Sequence, residues 1–282
     1  MEATEIESVE TYQSKRYGFN LAGIIPIAGY KNEYDTILPD YLNPLAPGYY
    51  PIQKSVMECA FAGCDTIWII CNNDYMPIVK KYIGETVFDP ITYEREYTTK
   101  GGRKIRKFKT IPIMYVSVHH RYLLNCTIPF STLYGAYMVK RASIKMSKWI
   151  KPDRYFVSFV NQQYDINNLY GVRKHIRNYH PFFVSHDTKT VIDGVSSAFT
   201  FDNDDLYAIL KWSKIKNNAS LQDVFSKIKT ESNYIWKPEY SFDTKTWQGF
   251  REYMGSPLTE KHKLLGSLFT SPKFKPLYRG TI

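Results

Sequence analysis

Four aspartates in the second half of the chain have the chemistry needed to hold a divalent cation. Asp165 follows a short apolar run. A cluster of three stands further along, made of Asp202, Asp204 and Asp205. Carboxylate oxygens are ligands that Mg²⁺ prefers. The same residues also suit structural tasks, because aspartate is common in turns and at the first turn of a helix. The residue types alone leave both interpretations open.

A pair of histidines stands at a second point where chemistry is expected. His119 and His120 follow a predicted strand, at the carboxyl edge where α/β sheets place their ligands. They could act as a general base or contact a phosphate. The alternative is two ordinary loop histidines. The sequence contains neither the spacing of a metal site, nor a serine nucleophile elbow, nor a Walker-type phosphate loop.

A run of cations surrounds the pair Gly101-Gly102. Alternation on both sides of this pair predicts a β-hairpin within residues 85–110. The cations of residues 95–109 could track a nucleic-acid backbone, or the lysines could protect a solvated sheet edge. The members are Arg95, Lys100, Arg103, Lys104, Arg106, Lys107 and Lys109. The formal net charge of +10 also favours an anionic partner, without deciding which.

Five local patterns predict how the first part of the chain folds. An apolar run predicts a strand at Ala22–Ala28, and a second predicts a strand at Thr66–Cys71. Between them lie a long, proline-bearing loop at Gly29–Tyr50 and a helix at Ile52–Ala62. A second helix is predicted from Asp74 to Ile83. Strand, helix, strand and helix in this order indicate a parallel crossover unit.

The rest of the chain continues the alternation and then becomes helical. Strands are predicted at 113–118, 155–160, 182–185 and 190–192, and helices at 131–150, 169–177, 202–211, 221–229, 247–254 and 260–269. The fold class is therefore α/β, with a Rossmann-like, mixed and mostly parallel sheet. We predict one α/β domain at residues 1–215, with the hairpin as an insertion, and a C-terminal helical appendage at 216–282.

Composition sets limits on where the protein works. The 282 residues are 44% hydrophobic, which is enough for a full core. The four cysteines form no Cys-x-x-Cys pair, and we expect buried free thiols rather than disulfides or zinc ligands. Neither a signal peptide nor an apolar run of membrane-spanning length is visible. These features predict a cytoplasmic protein without a membrane partner.

About fifty residues from residue 22 onward resemble the opening of sugar-nucleotide nucleotidyltransferases of the glucose-1-phosphate thymidylyl- and uridylyltransferase type. Those proteins have a strand ending Pro-x-Ala-Gly, a Gly-Thr-Arg loop, a helix after a proline, an Ala-Gly pair and a strand ending in Asn. The matching residues are Pro26, Ala28, Gly29, Pro39, Pro44, Pro51, Ile52, Gln53, Glu58, Ala62, Gly63 and Asn72. A weaker likeness continues through TLYGAYMVKRA, YFVSFVNQQYD and FTFDNDDLYAI, to about residue 210.

The resemblance implies a GT-A-like fold, a nucleotide or sugar phosphate as ligand, and Mg²⁺ as cofactor. It implies catalytic roles for Lys31, as the cation beside the leaving pyrophosphate, and for Asp165. It implies metal ligands at Asp165 and Asp205. The substrate-binding residues implied are Ala28, Gly29, Tyr30, Asn32, Gln53, Asn72 and Asn161.

The chain departs from the family at positions that matter for chemistry. Tyr30, Lys31 and Asn32 replace the Gly-Thr-Arg triplet, Asp40 replaces a lysine, and Asn161 replaces a metal-binding aspartate. Three hypotheses follow. The chain is a divergent nucleotidyltransferase-like protein that binds a nucleotide or nucleotide sugar. Alternatively, it is a catalytically inactive protein of this fold that binds a protein partner, or a second copy of itself, through its C-terminal helices. The third hypothesis is a nucleic-acid-binding protein.

Overall fold

A computed structural model of the chain describes residues 19–30, 36, 38–98, 102, 104–123, 126–146, 151–213, 219–228 and 232–270. The strands are β1 (Leu21–Pro26), β2 (Thr66–Cys71), β3 (Thr86–Thr98), β4 (Lys104–Ser117), β5 (Arg154–Val157), β6 (Gln162–Gln163), β7 (Phe182–Val184), β8 (Phe199–Asp202), β9 (Tyr234–Trp236) and β10 (Phe242–Asp243). The helices are α1 (Pro51–Ala62), α2 (Met76–Ile83), α3 (His120–Leu123), α4 (Ile128–Met146), α5 (Leu169–Ile176), α6 (Asn203–Ser213), α7 (Leu221–Phe225), α8 (Trp247–Met254) and α9 (Pro257–Thr270).

Eight strands form one mixed sheet in the order β3-β4-β2-β1-β5-β8-β7-β9. Its centre is parallel, because β4, β2, β1 and β5 run in one direction. β8 runs against β5 and β7, and β9 is parallel to β7. The predicted fold class, a mixed and mostly parallel sheet with helices, is confirmed.

The central strand β1 is buried on both faces. Ile25 belongs to the core beneath α1 and α5, whereas Ile24 belongs to the core beneath α4 and α6. This explains why its sequence is apolar throughout instead of alternating. Its neighbour β2 is aligned so that Ile24 lies beside Trp68. The bounds predicted for β2 match the structure, and β1 ends two residues earlier than predicted.

The caps of α1 follow the predicted pattern. Pro51 is the first helical residue, where a missing N–H costs nothing. Gly63 ends the helix in the left-handed conformation, with φ of 84°. The start of α2 differs from prediction, since Asp74 lies outside the helix and Tyr75 precedes it without a side-chain cap.

The predicted hairpin and the strand predicted after it share one long strand. β4 pairs antiparallel with β3 along its first part, and from Ile113 it pairs parallel with β2. Two separate elements were predicted for the residues of β4, because the surroundings of this strand change from a two-stranded ribbon to a covered sheet. The backbone register places Arg95 opposite Lys107, and Glu96 opposite Arg106.

Several short elements differ from prediction, and β6, β9 and β10 are among the strands that were not predicted. Residues 190–192 do not form a strand, because Thr190 and Asp193 form a capping box around a 3-10 turn that ends at Gly194. Strand β8 was not predicted, because the sequence suggested only a helix starting at Asp202. Its four residues are too few to show a clear period in the sequence.

Residues beyond the predicted boundary at 216 contribute to the same sheet and cores. β9 pairs with β7, and Phe225 of α7 lies in the core beneath α4. The last two described helices pack on the loop after β1. There they form a third cluster, consisting of Leu45, Ala46, Tyr49, Tyr253 and Leu258.

Candidate functional site

Two loops meet where the chain changes direction in the sheet. From β1 the chain crosses to β2 on one side, and β5 lies on the other. Open α/β sheets bind ligands at such a switch point, beyond the carboxyl ends of the strands. Here the Tyr30 hydroxyl, just after β1, donates a hydrogen bond of 2.6 Å to Oδ1 of Asn161, just after β5.

A carboxylate from a distant part of the chain joins this pair. Asn161 donates through Nδ2 to Oδ1 of Asp243, at 2.6 Å. These two residues are 82 positions apart in the sequence. The site is therefore a line of three groups: a phenol, an amide and a carboxylate.

Main-chain contacts hold Asp243 in place. β10 pairs antiparallel with β6, which sets Asp243 opposite Gln162. The backbone N–H and the hydroxyl of Thr244 both donate to the carbonyl oxygen of Asn161, each at 2.8 Å. Gly249 of α8 lies so close that a Cβ there would come within 1.9 Å of the Asp243 carbonyl oxygen.

Tyr30 is a half-buried end of this line, and Asn161 in its middle is buried. Burial, and then the nearby Asp243 carboxylate, raises the pKa of Tyr30 well above its usual value, because both disfavour a phenolate. The hydroxyl therefore keeps its proton and acts as a donor. In the structure the hydroxyl donates its hydrogen bond to the amide oxygen of Asn161.

The first residues of the loop after β1 contact β2 and the start of α4. The Ala28 N–H donates to the Ile70 carbonyl at 2.8 Å. Gly29 packs against the start of α4, where a Cβ would lie 2.3 Å from the carbonyl carbon of Thr127. Lys31 and Asn32, predicted to contact phosphate, lie outside the described residues.

The structure does not bring together the two predicted metal ligands. Asp165 caps a 3-10 turn, accepting from the Asn167 N–H, and pairs with Lys261 at 3.1 Å. Asp205 lies at the opposite edge of the sheet, because β8 is antiparallel to β5 and ends beside Arg154. There Asp205 accepts a hydrogen bond from the Asp202 N–H.

The remaining predicted residues occupy separate places. Gln53 lies in the first turn of α1. Asn72 follows β2, and its side chain accepts from the Asp74 N–H in a turn that precedes α2. His119 and His120 are exposed, with ring centroids 4.3 Å apart. Of the predicted substrate-binding residues, the structure joins Tyr30 and Asn161 directly by a hydrogen bond.

Asn161 and Asp243 have the donor atoms that a magnesium ion takes. Mg²⁺ is commonly held by one or two carboxylates together with substrate phosphates and water. Asp243 supplies the carboxylate of that pattern, and the Asn161 amide, whose nitrogen now faces Asp243, would supply an oxygen after turning over. Among the described residues, no group of three His, Cys, Asp or Glu side chains could hold a metal without such help.

Asp243 is the residue that sequence reasoning missed. Its only local signal is an aspartate in the turn-rich stretch FDTKT, just before a helix. Such a residue is usually a turn former, and here it does accept a hydrogen bond from the Lys245 N–H at 3.0 Å. Its approach to Asn161 depends on the pairing of β10 with β6, which two-residue strands do not signal.

Comparison with known proteins finds likeness in structure only. Neither a family model nor a curated protein matches the sequence. A structure titled a putative glucose-1-phosphate thymidylyltransferase from Bacillus anthracis superposes with a TM-score of 0.57 and 12% identity, covering 86% of this chain and 95% of that one. A UDP-glucose pyrophosphorylase complexed with UDP-glucose gives 0.56 and 12%, covering 88% and 100%. A 4-diphosphocytidyl-2C-methyl-D-erythritol synthase from Anaerococcus prevotii gives 0.52 and 13%, covering 86% and 96%.

The chain therefore has the fold of the sugar-nucleotide nucleotidyltransferases, and the resemblance noted in the sequence is confirmed at the level of fold. The likeness spans almost the whole of the compared structures. Within the described residues, no helix is long and apolar enough to cross a membrane.

Proposed function

We propose that this chain binds a nucleotide or a nucleotide sugar with Mg²⁺ at the carboxyl ends of β1 and β5. The observation that carries the proposal is the contact between Asn161 and Asp243 at the switch point of the sheet. It supplies a carboxylate beside the neutral Asn161. Two of the superposed structures are titled as enzymes of nucleotide-sugar metabolism, and one of them holds UDP-glucose.

The reaction that suits this arrangement is nucleotidyl transfer. An oxygen of an acceptor phosphate attacks the α-phosphorus of a nucleoside triphosphate, the bond to the bridging oxygen breaks, and pyrophosphate leaves. Mg²⁺ would neutralise the charge that develops on the phosphates. Asn161 and Asp243 would hold that ion, and Lys31 is the proposed cation beside the pyrophosphate.

A second candidate function is binding without transfer. It is supported by the same site, because Asn161 is neutral and its amide oxygen already accepts a hydrogen bond from Tyr30. A neutral ligand holds Mg²⁺ less strongly than a carboxylate. In that case the protein would act as a structural or protein-binding subunit through its C-terminal helices.

The test compares two aspartate-to-asparagine variants. Purified protein is assayed for thermal stabilisation and for pyrophosphate release with nucleoside triphosphates, sugar phosphates and Mg²⁺. We expect Asp243→Asn to weaken Mg²⁺-dependent nucleotide binding by about tenfold or more, since charged interactions of this kind contribute roughly 1.5–3 kcal/mol. The matched control is Asp204→Asn, which changes an exposed carboxylate in the first turn of α6.

The outcomes separate the proposals. Binding with pyrophosphate release supports transfer, whereas binding without release supports the second candidate. If wild-type protein gives no shift with any nucleotide, or if Asp243→Asn behaves like Asp204→Asn, both proposals are wrong.

A nucleic-acid contact through the hairpin of residues 95–109 remains a separate prediction. The structure places Arg95 opposite Lys107 on a two-stranded ribbon at the edge of the sheet. Phosphate contacts make affinity fall steeply with salt. A flat dependence of affinity on salt concentration would remove this prediction.

A further inference from the structure

A fully buried carboxylate lies behind the site on α1. Glu58 has no exposed surface, and its carboxylate accepts hydrogen bonds from three side chains. Lys54 and Ser158 donate to Oε2, each at 2.5 Å, and the Tyr164 hydroxyl donates to Oε1. Lys54, which is also fully buried, lies 4.4 Å from the centre of the Tyr164 ring.

The two hydroxyl donors stand at the two ends of one short segment. Ser158 directly follows β5, and Tyr164 directly follows β6. Between them lies Asn161, whose side chain contacts Tyr30 and Asp243. One carboxylate therefore fixes both ends of the segment that carries the central group of the site.

We propose that Glu58 is a positioning residue, which clamps the segment from Ser158 to Tyr164 and thereby sets the place of Asn161 against Asp243. The clamp itself rests on contacts in the structure. Its consequence for metal binding rests on the proposed function. Among the described residues, no hydrogen bond joins Glu58 to Tyr30 or Asp243, so its hydrogen-bonded connection to the site runs through the segment, although its charge also acts on Tyr30.

Lys54 explains why the obvious variant is uninformative. Removing the Glu58 carboxylate would leave an ammonium buried without its counter-charge, which strongly destabilises a protein. The informative changes leave that ion pair intact and remove the two hydroxyls. These are Ser158→Ala and Tyr164→Phe, singly and together.

Matched controls exist at the other edge of the sheet and on α4. Tyr155 is also fully buried, and its hydroxyl donates to Asn203 at 2.9 Å. Ser143 is buried and donates to the Lys140 carbonyl at 2.8 Å. Tyr155→Phe and Ser143→Ala therefore delete the same chemical groups at buried positions whose hydroxyls do not contact Glu58.

Two measurements test the clamp. The first is native-state hydrogen exchange of the Thr244 amide, which donates to the Asn161 carbonyl, without any ligand. The second is the affinity for Mn²⁺, as a spectroscopic substitute for Mg²⁺, in the presence of saturating UTP. In the double variant we expect the exchange rate of the Thr244 amide to rise over its wild-type rate by about tenfold more than the rates of the β2 amides rise. We expect the Mn²⁺ affinity to fall by a similar factor.

The two measurements distinguish failure of the clamp from failure of the proposed function. If Thr244 exchanges at the wild-type rate in the double variant, or equally fast in the control pair, the clamp is refuted. If exchange responds as expected but wild-type protein binds no Mn²⁺ with UTP, the clamp stands and the proposed function fails.

Discussion

At the scale of single residues, the site depends on one amide oxygen. The Tyr30 hydroxyl donates to Oδ1 of Asn161 at 2.6 Å and so uses one of the two lone pairs, and part of the electron density, that this atom would offer a metal ion. The raised pKa of Tyr30, caused first by burial, keeps the phenol neutral, so it offers no charge to a cation. Tyr30 thus sets how readily Asn161 can serve as a ligand.

Tyr30→Phe tests this effect. The change removes the hydroxyl and keeps most of the ring packing, so we expect a loss of about 1 kcal/mol in the free energy of unfolding. Because Oδ1 of Asn161 is released, Mg²⁺-dependent nucleotide affinity should rise by about three- to tenfold. Calorimetric titration with nucleotide in the presence of Mg²⁺ measures this affinity. A fall in affinity would mean that the hydroxyl contacts the ligand instead.

A second residue, His262, makes stability depend on pH. His262 is fully buried on α9, its ring stacks on Tyr49 at 4.2 Å, and Tyr253 lies 2.9 Å from Nδ1. Burial lowers the pKa of His262 from 6.5 to about 4. Burial is the largest cause of this pKa; the Lys54 and Lys261 charges also lower it, and the hydrogen bond with the Tyr164 backbone and the Asp165 charge raise it.

The sign of the effect follows from linkage. The unfolded chain takes up a proton near pH 6.5, while the folded chain resists protonation until about pH 4. Stability from His262 is therefore complete above pH 6.5 and is lost as the pH falls toward 4, by up to about 3 kcal/mol. The free energy of unfolding of His262→Phe, measured in urea, should therefore depend less on pH across this range than that of the wild-type protein. Parallel curves for the two proteins would contradict the assignment.

At the scale of elements, strand ends and helix starts bring the site together. β1 and β5 deliver Tyr30 and Asn161, and the pairing of β10 with β6 delivers Asp243. Gly249 of helix α8 packs against the backbone of Asp243, where there is no room for a side chain. The position of α8 therefore controls where the carboxylate lies.

Gly249→Ala should move Asp243 and so reduce Mg²⁺-dependent nucleotide binding. The new Cβ would meet backbone, so we expect overpacking to cost about 1–3 kcal/mol. The matched control is Gly171→Ala, at the same third position of helix α5, where a Cβ meets nothing within 4 Å. That control should gain roughly 0.5–1 kcal/mol and bind normally. Equal effects of both changes in thermal unfolding and binding would refute the explanation.

At the scale of the whole molecule, the C-terminal segment is continuous with the sheet. β9 extends it, α7 contributes to a main core, and the helices after β10 cover the loop that follows β1. The segment also supplies Asp243. A helical appendage that could separate from the site would not give this pattern of contacts.

Unfolding should therefore be a single cooperative transition. Helix content measured by far-ultraviolet circular dichroism and tryptophan fluorescence should change at the same urea concentration, because Trp68 lies in β2 and Trp247 in α8. The chain has five tryptophans, so the part of the fluorescence change that a Trp247→Phe variant loses is the part that reports on α8. An earlier transition for the C-terminal helices would show that they unfold independently.

How far the sequence predicts the structure depends on the range of the interactions. Runs such as TIWIIC and the Pro51 and Gly63 boundaries of α1 carry local signals, so those elements were predicted within a residue or two. β8 and β9 are too short to carry such a signal, and the direction of β8 decides which edge of the sheet receives Asp205. The resemblance alone named Asp165 and Asp205 as metal ligands, and the sequence predicted no strand β8 that would fix their relative position.

The sequence by itself determined the crossover unit at the start of the chain, and the family resemblance assigned Tyr30 and Asn161 to one set of substrate-binding residues. The structure brings these two together because β1 and β5 are parallel neighbours that end at the same edge. Only the tertiary structure decided which carboxylate joins them. The contact between Asn161 and Asp243 spans 82 positions and depends on two paired two-residue strands and a close helix. Such pairing is set by packing across the whole fold, and local residue patterns do not encode it.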